Sequence, residues 1–356
     1  MKKKWTYAKA GVDISQSNKA HAEIGKLIKK TFKIRTGKFG NVIGKFGHYA
    51  SLIDTGGKRA LALHADGCGT KVLIAQLLNK YDTVGMDCVA MCANDLICLG
   101  AEPLALVDYL AVEKPHSQMI QEIMKGLVNG AKIAGMAVIG GETAVMPDVI
   151  KGAVKGKGFD LAALSLGVVE KEKTITGEKI SPGDVVIGLE SSGIHSNGLT
   201  LARKIFEDAG LSVKSKPKEL DRTVGEELIT PTKIYVREVL QMLQKVDIHG
   251  LANITGGAYT KLKRFWDYAD VGFSLNKMPN PHKIFKVMQE RGNISIEEMH
   301  KTFNMGIGFC IISPKAELQK INNICKKHRT RTFNLGKIIA EKEIRITPYK
   351  SKEICL

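Results

Sequence analysis

A short apolar run at residues 60–63 empties into Asp66-Gly67-Cys68-Gly69-Thr70-Lys71. The run reads as a strand, and the two glycines permit a backbone turn that other residues would resist. Beyond the turn, Val72, Leu73, Ala75, Leu77 and Leu78 give residues 71–78 a helical pattern, and the first N–H groups of such a helix favour an anion. A second helix is predicted over 84–99, ended by Gly100 with Pro103 just beyond. It carries Asp87, Asn94 and Asp95 in an otherwise apolar register. Carboxylates so placed are costly to bury alone and must be hydrogen-bonded or sit on a cation. Each acid taken singly is as readily a turn or capping residue. Together, and with Asp66 at a strand end, they suit a Mg²⁺ ion at a nucleotide, where one or two acids, phosphate oxygens and water complete the shell.

Similar logic recurs along the chain. A strand is predicted over 137–139, and Gly140-Gly141-Glu142 reads as a turn that delivers an acid directly after it. Alone, Glu142 is as readily an acid at a helix N-terminus. Residues 159–169 form an apolar run bounded by glycines, a buried strand by length and flanks. After a strand over 185–189, Ser191-Ser192-Gly193-Ile194-His195-Ser196-Asn197-Gly198 precedes a helix over 199–209. Such a turn binds an anion or positions a proton, unless it is a serine-rich cap with an exposed His. Thr255-Gly256-Gly257 offers hydroxyl and amide donors to a phosphate or ribose, or is a plain turn. Gly37, Gly40, Gly44 and Gly47 make a loop able to approach phosphates, or simply a flexible one. It is no P-loop, because Gly44-Lys45 is followed by Phe46.

A chain of 356 residues accommodates two domains, each with its own core. The polar stretch 170–182 is the boundary, which divides the chain into 1–170 and 171–356. No run of about 18 apolar residues indicates a transmembrane helix. The basic start Met1-Lys2-Lys3-Lys4-Trp5 lacks the apolar run of a signal peptide, so a cytoplasmic protein without a membrane partner is expected. Seven cysteines with no C-x-x-C pair read as reduced core residues. The net charge of +17 is scattered, aromatic residues are only 6%, and no nucleic-acid signature accompanies them. Small phosphorylated substrates are therefore expected, and no nucleic acid.

Asp95 to Pro103 fits D-x4-G-A-x-P and Asp66 to Lys71 fits D-G-x-G-T-K, and in both the chain resembles the phosphoribosylformylglycinamidine cyclo-ligase (AIR synthetase) family. Tyr7-Ala8-Lys9-Ala10-Gly11-Val12-Asp13 is similar to that family's opening, and Gly140 to Pro147 to its G-G-E-T-A-x-M-P. Ser191 to Gly198 resembles its S-S-G-P-H-S-N-G, with Ile194 for Pro, and Pro231 to Val236 its P-T-R-I-Y-V. Asn253 and Ala258 stand where the family usually has His and a third Gly, and neither is assigned a role.

The resemblance implies an α/β class with two related α/β domains. The N-terminal one would have a mixed sheet used for homodimerisation, and the C-terminal one a mixed sheet with flanking helices. It implies a ligase that converts formylglycinamidine ribonucleotide (FGAM) and ATP to aminoimidazole ribonucleotide (AIR), ADP and phosphate. In those terms Asp66, Asp95 and Glu142 would hold Mg²⁺. Lys71, with Gly67, Gly69, Thr70 and the Gly44/Gly47 loop, would hold ATP. Asn94 would orient a carboxylate. His195 would sit near the substrate with Ser192 and Asn197 and shuttle a proton, and Thr255-Gly256-Gly257 would take the ribose phosphate.

Three related enzymes fit less well. Selenophosphate synthetases carry a reactive Cys or selenocysteine near the N-terminus, whereas the first Cys here is Cys68. Hydrogenase-maturation dehydratases end on Cys itself, whereas this chain ends Ile354-Cys355-Leu356. Thiamine-phosphate kinases lack the D-x4-G-A-x-P segment in this form. A basic, non-catalytic binder of polyanions would exclude the three acids.

Overall fold

The computed structural model describes residues 4–12 and 14–356. The basic start at residues 1–3 and Asp13, the last residue of the opening motif, lie outside them. The first half builds a six-stranded sheet from β1 (Asn41–Ile43), β2 (Ser51–Asp54), β3 (Arg59–Gly67), β4 (Glu102–Val112), β5 (Ala137–Val145) and β6 (Phe159–Glu170), in the order β1-β2-β3-β6-β4-β5. Helix α1 (Ile14–Phe32) precedes the sheet, α2 (Lys71–Leu78) and α3 (Asp82–Ile97) join β3 to β4, and α4 (Ser117–Ala134) joins β4 to β5. That last crossover is what lets β4 and β5 run parallel, while the other pairs are antiparallel.

The second half builds a seven-stranded sheet from β7 (Val185–Glu190), β8 (Gly250–Asn253), β9 (Gly272–Leu275), β10 (Ile307–Ser313), β11 (Thr332–Ile339), β12 (Ile344–Ile346) and β13 (Ile354–Cys355). Its order is β13-β12-β9-β11-β7-β10-β8, with β12 parallel to β9. Helices α5 (Leu199–Asp208), α6 (Val224–Ile229), α7 (Val236–Leu243), α8 (Lys283–Gly292), α9 (Ile296–Thr302) and α10 (Leu318–Lys327) flank it. Both halves are therefore mixed sheets with helices, the α/β class expected. No helix among the described residues is long and apolar enough to cross a membrane.

Strand β6 shows why one face of the first sheet is covered. Phe159, Leu161, Ala163, Ser165, Gly167 and Val169 are buried, and the residues between them are not, the two-residue period of a half-buried strand. The covered face carries α3, in which every residue except Asp82 and Met86 is buried. Helix α3 touches α4 almost backbone to backbone. A Cβ added at Gly85 would lie 2.3 Å from the Ile123 carbonyl oxygen, and one at Gly126 would lie 2.2 Å from that of Asp82. The opposite face is open, with Tyr109 and Leu164 about half exposed.

The segment expected as a short strand plus a turn at Gly140-Gly141-Glu142 is instead one continuous strand, β5, to Val145. The ladder with β4 carries it through the glycines. Gly141 is needed for its neighbour and not for a turn, because a Cβ there would come within 2.3 Å of Asp108 Oδ1. Likewise β3 and β4 run on past the predicted strands, held by the central β6.

Candidate functional site

Strand β3 puts His64 and Asp66, two residues apart, on the face that α3 covers, and α3 presents Asp95 to them. Ligand atoms of these three side chains lie within 4.8 Å of one another. His64 Nε2 is 3.4 Å from Asp95 Oδ2 and 3.7 Å from Asp66 Oδ2. The other carboxylate oxygens are spoken for. Asn253 Nδ2 donates to Asp95 Oδ1 at 2.7 Å, and the Gly67 N–H donates to Asp66 Oδ1 at 2.7 Å. Burial raises the Asp95 pKa, against the nearby His64, Lys261, Asn253 and Arg264. For His64 burial opposes the charged ring, but Asp66 and Asp95 outweigh it and raise its pKa. Lys261 is lowered to about 8, by burial first and then by Arg264, with Asp95 and Asp66 pulling it back.

Eight residues earlier on α3, Asp87 is in a different setting. Lys71, expected at ATP phosphates, is fully buried and paired with it at 2.9 Å, with Nζ also donating to the Thr230 carbonyl at 2.5 Å. Asp87 Oδ1 accepts further from Ser196 Oγ at 3.0 Å and from both N–H and Oγ1 of Thr232 at 2.6 Å. Burial lowers the Lys71 pKa while Asp87 raises it. In the structure this lysine is a buried staple between the halves, not a side chain turned out from the turn expected to hold ATP.

Asn94, expected to orient a carboxylate, also reaches across. Its Nδ2 donates to the Lys233 carbonyl at 2.9 Å and its Oδ1 accepts the Tyr235 N–H at 3.0 Å. Three polar positions of α3, Asp87, Asn94 and Asp95, thus grip the second half, and Asn253, given no role from sequence, is one of the partners.

The 191–198 turn lies against the D-G-x-G-T-K turn. Thr70 Oγ1 and Thr200 Oγ1 are 2.9 Å apart, and Gly69, at φ 59°, faces the Ser196 carbonyl. Asn197 sits beside Gly256, whose added Cβ would be 3.2 Å from Asn197 Nδ2, and Asn197 Oδ1 is buried without a partner. Thr255-Gly256-Gly257 begins two residues after Asn253, so these expected substrate contacts share a seam with Asp95. Ala258 keeps a left-handed φ of 43° where the resemblance called for glycine.

His195 is not placed for the proton shuttle expected of it. Its ring is buried, Nε2 accepts the Ser192 N–H at 3.1 Å, and Nδ1 is buried without a partner. Burial, reinforced by Lys71, lowers its pKa to about 3, so the ring stays neutral near pH 7. A Cβ at Gly308 would be 2.5 Å from its Cε1, so the ring is packed against a strand. Ser192 Oγ donates to the Pro231 carbonyl at 2.5 Å. It lines a cavity of about 580 Å³ with Arg222, His282 and Arg331, a lining that includes none of the acidic corner.

Glu142 does not join Asp66 and Asp95. Across the sheet Asp66 pairs with Ala163, Ala163 with Asp108 and Asp108 with Gly141, so those residues share a face. Glu142 is the next residue, on the opposite face and three strands away, roughly 14 Å at about 4.8 Å per strand. Gly44 and Gly47 have φ of 82° and 106° in an open loop. Between them, Lys45 donates to the Asp267 carbonyl and covers the Tyr268 ring, so the loop leans on the second half.

Residues missed from the sequence are His64, Lys261 and Arg264. His64 was signalled by two-residue alternation back from Asp66. Lys261 and Arg264 are three apart in the 3₁₀ segment Ala258–Asp267, and i, i+3 side chains eclipse in such a segment.

Residues 47–169 match the AIR synthase related protein N-terminal domain and residues 181–348 the C-terminal domain. The chain is 48% identical over 348 residues to a phosphoribosylformylglycinamidine cyclo-ligase of Thermococcus kodakarensis, covering 98% of this chain and 99% of that one. It is 49% identical over 339 residues to one of Pyrococcus horikoshii, covering 95% and 96%. In fold it is similar to thiamine-monophosphate kinase from Stenotrophomonas maltophilia, with a TM-score of 0.62, 15% identity and coverage of 88% and 94%.

Proposed function

The chain belongs to the phosphoribosylformylglycinamidine cyclo-ligase family and is thereby a ligase of purine biosynthesis, and we propose that it closes the imidazole ring of AIR from FGAM and ATP at the seam between its two sheets. The observation that carries this reading is the Asn253–Asp95 hydrogen bond. It brings the Thr255-Gly256-Gly257 turn of one half to the acidic corner of the other, a nucleotide-type acid site beside a donor-rich turn.

The formamide oxygen of FGAM is a poor leaving group, and phosphoryl transfer to it makes a good one. The amidine nitrogen of the same molecule then attacks the activated carbon, and phosphate leaves. With nucleophile and electrophile in one molecule, the protein's task is geometry and charge. Asp66 and Asp95 fit a divalent cation, because each has one oxygen fixed by a donor and the other turned to the same corner. Bound there, Mg²⁺ would neutralise the phosphates of ATP. Lys261 and Arg264, beside the same acids, supply positive charge to the transferred phosphoryl. Gly67, Gly69 and Thr70 line the approach for ATP, and Asn197 with Thr255-Gly256-Gly257 orients FGAM.

In this reading the domains are 1–170 and 171–356. The open face of the first sheet, carrying Tyr109, Leu164 and Glu142, meets a second copy of the chain, since exposed apolar sheet surface needs cover. The seven cysteines are free, all but Cys355 buried, which suits a cytoplasmic setting. The test measures ADP release from Mg-ATP with and without FGAM while AIR is followed by diazo coupling. Substrate-dependent ADP in step with AIR is expected. ADP without AIR would assign the chain another acceptor.

A further inference from the structure

The acidic corner differs from an all-oxygen cation site by one atom, His64 Nε2. That nitrogen is buried and makes no hydrogen bond. Its nearest acceptors, at 3.4 and 3.7 Å, are beyond the usual hydrogen-bond range. A buried ring nitrogen without a partner is costly unless something else occupies its lone pair. Here the nitrogen faces two carboxylate oxygens that also have no other donor, and a cation between them would take its lone pair in place of a proton. Asn253 and the Gly67 N–H hold the opposite oxygens, and Ser165 Oγ donates to the His64 carbonyl at 3.0 Å, fixing the strand behind the ring. Outer contacts of this kind orient metal ligands.

We propose that His64 is a direct nitrogen ligand of the divalent cation held by Asp66 and Asp95, and that it biases the site toward Mn²⁺-class ions over Mg²⁺. The inference rests on reading this corner as the cation site of the ligase. Ligand atoms around an ion with bonds of about 2.1 Å lie roughly 3 Å from one another. Separations of 3.4 and 3.7 Å therefore close onto one ion by side-chain movement alone. Mg²⁺ favours oxygen and gives up water reluctantly, whereas the first-row divalent ions, Mn²⁺ included, take an imidazole nitrogen more readily than Mg²⁺ does. A His with two carboxylates still accepts Mg²⁺ but ranks it lower.

The test uses the full chain stripped of metal by chelation, with MnCl₂ and MgCl₂ alone and no nucleotide. Free Mn²⁺ is counted by its electron paramagnetic resonance signal, Mg²⁺ is measured by competition, and directly bound nitrogen is read from ¹⁴N spin-echo modulation. Wild type should bind Mn²⁺ at least about tenfold tighter than Mg²⁺ and show one ¹⁴N coupling. His64→Gln should lose that coupling and at least about tenfold in Mn²⁺ affinity, with Mg²⁺ changed by less than about threefold. Circular dichroism and melting of each variant verify the fold. Asp95→Asn should weaken both ions. Wild-type Mn²⁺ without ¹⁴N coupling, or unchanged Mn²⁺ affinity in His64→Gln, overturns the ligand while the ligase reading stands. Both ions retained by Asp95→Asn would remove the cation from this corner and overturn both the His64 ligand and the placement of the cation site here.

Discussion

Two buried aspartates eight residues apart on α3, about 12 Å along the axis, are treated in opposite ways. Asp87 has its cation built in: Lys71 sits on it, with Ser196 and Thr232 filling the remaining positions on Oδ1. Asp95 receives a single neutral donor, Asn253, and faces His64 across a gap. Burial cost is similar at both, so the difference lies in what the fold provides to offset it. The first carboxylate has its counter-charge supplied by the fold on Oδ1, while its Oδ2 is buried without a hydrogen-bond partner. The other has a raised pKa and, 3.4 Å away, an imidazole nitrogen that makes no hydrogen bond, with no lysine fixed on it.

Substitutions can break this contrast, and the largest effect should come from the open member. Asp95→Asn should lower turnover at least about 10³-fold, near 4 kcal/mol of barrier. The metal-free variant should melt at or above wild type at pH 7. The sign follows from the raised Asp95 pKa. Its contribution to stability is fully present below the ordinary value of 3.8 and is lost as pH rises through the raised value. The gap between wild type and variant in urea melts should therefore narrow as pH falls toward 3.8. Retained turnover would dissolve the contrast.

Lys71→Met tests the closed member. It strands Asp87 as an unpaired buried charge and should cost about 3–5 kcal/mol of stability, much of it regained in Lys71→Met/Asp87→Leu. If Lys71 served ATP phosphates instead, stability would hold and the KM for ATP would rise.

Asn94→Ala sits beside Asp95 and removes two bonds to the 233–235 segment. A loss of about 2 kcal/mol in chemical denaturation is expected, with a smaller effect on turnover than Asp95→Asn. His195→Gln should change least, lowering kcat at pH 7 less than about tenfold. With a pKa depressed to about 3, the His195 contribution to stability is present above 6.5 and is lost as pH falls toward 3. The variant should show a shallower acid-side loss in urea melts. A large kcat defect with an altered pH profile would restore the shuttle.

The sequence carried the parts whose signals are local. Helices α2 and α3 showed their periods, and Gly100 marked the end of α3; α4 likewise stops at a glycine, Gly135, in the left-handed region at φ 72°. Asp66 and Asp95 were legible because short motifs surround them. Gly140-Gly141 misled because two glycines normally end a strand, while here the cause is Asp108 on the neighbouring strand. Lys71 misled because it pairs with Asp87 on the next helix and with the Thr230 carbonyl, 159 positions away. Asn253 was passed over for the same reason. His64 was within reach, had the alternation of β3 been followed beyond Leu63.

Helix α3 is held from the second half by Ser196, Thr232, the backbone of Lys233 and Tyr235, and Asn253. The two halves are consequently not interchangeable parts. Recombination that imported the second half from a distant relative would leave α3 facing strangers at five positions. A change in α3, in the 230–235 segment or at Asn253 therefore calls for a matching change in its partner across the seam.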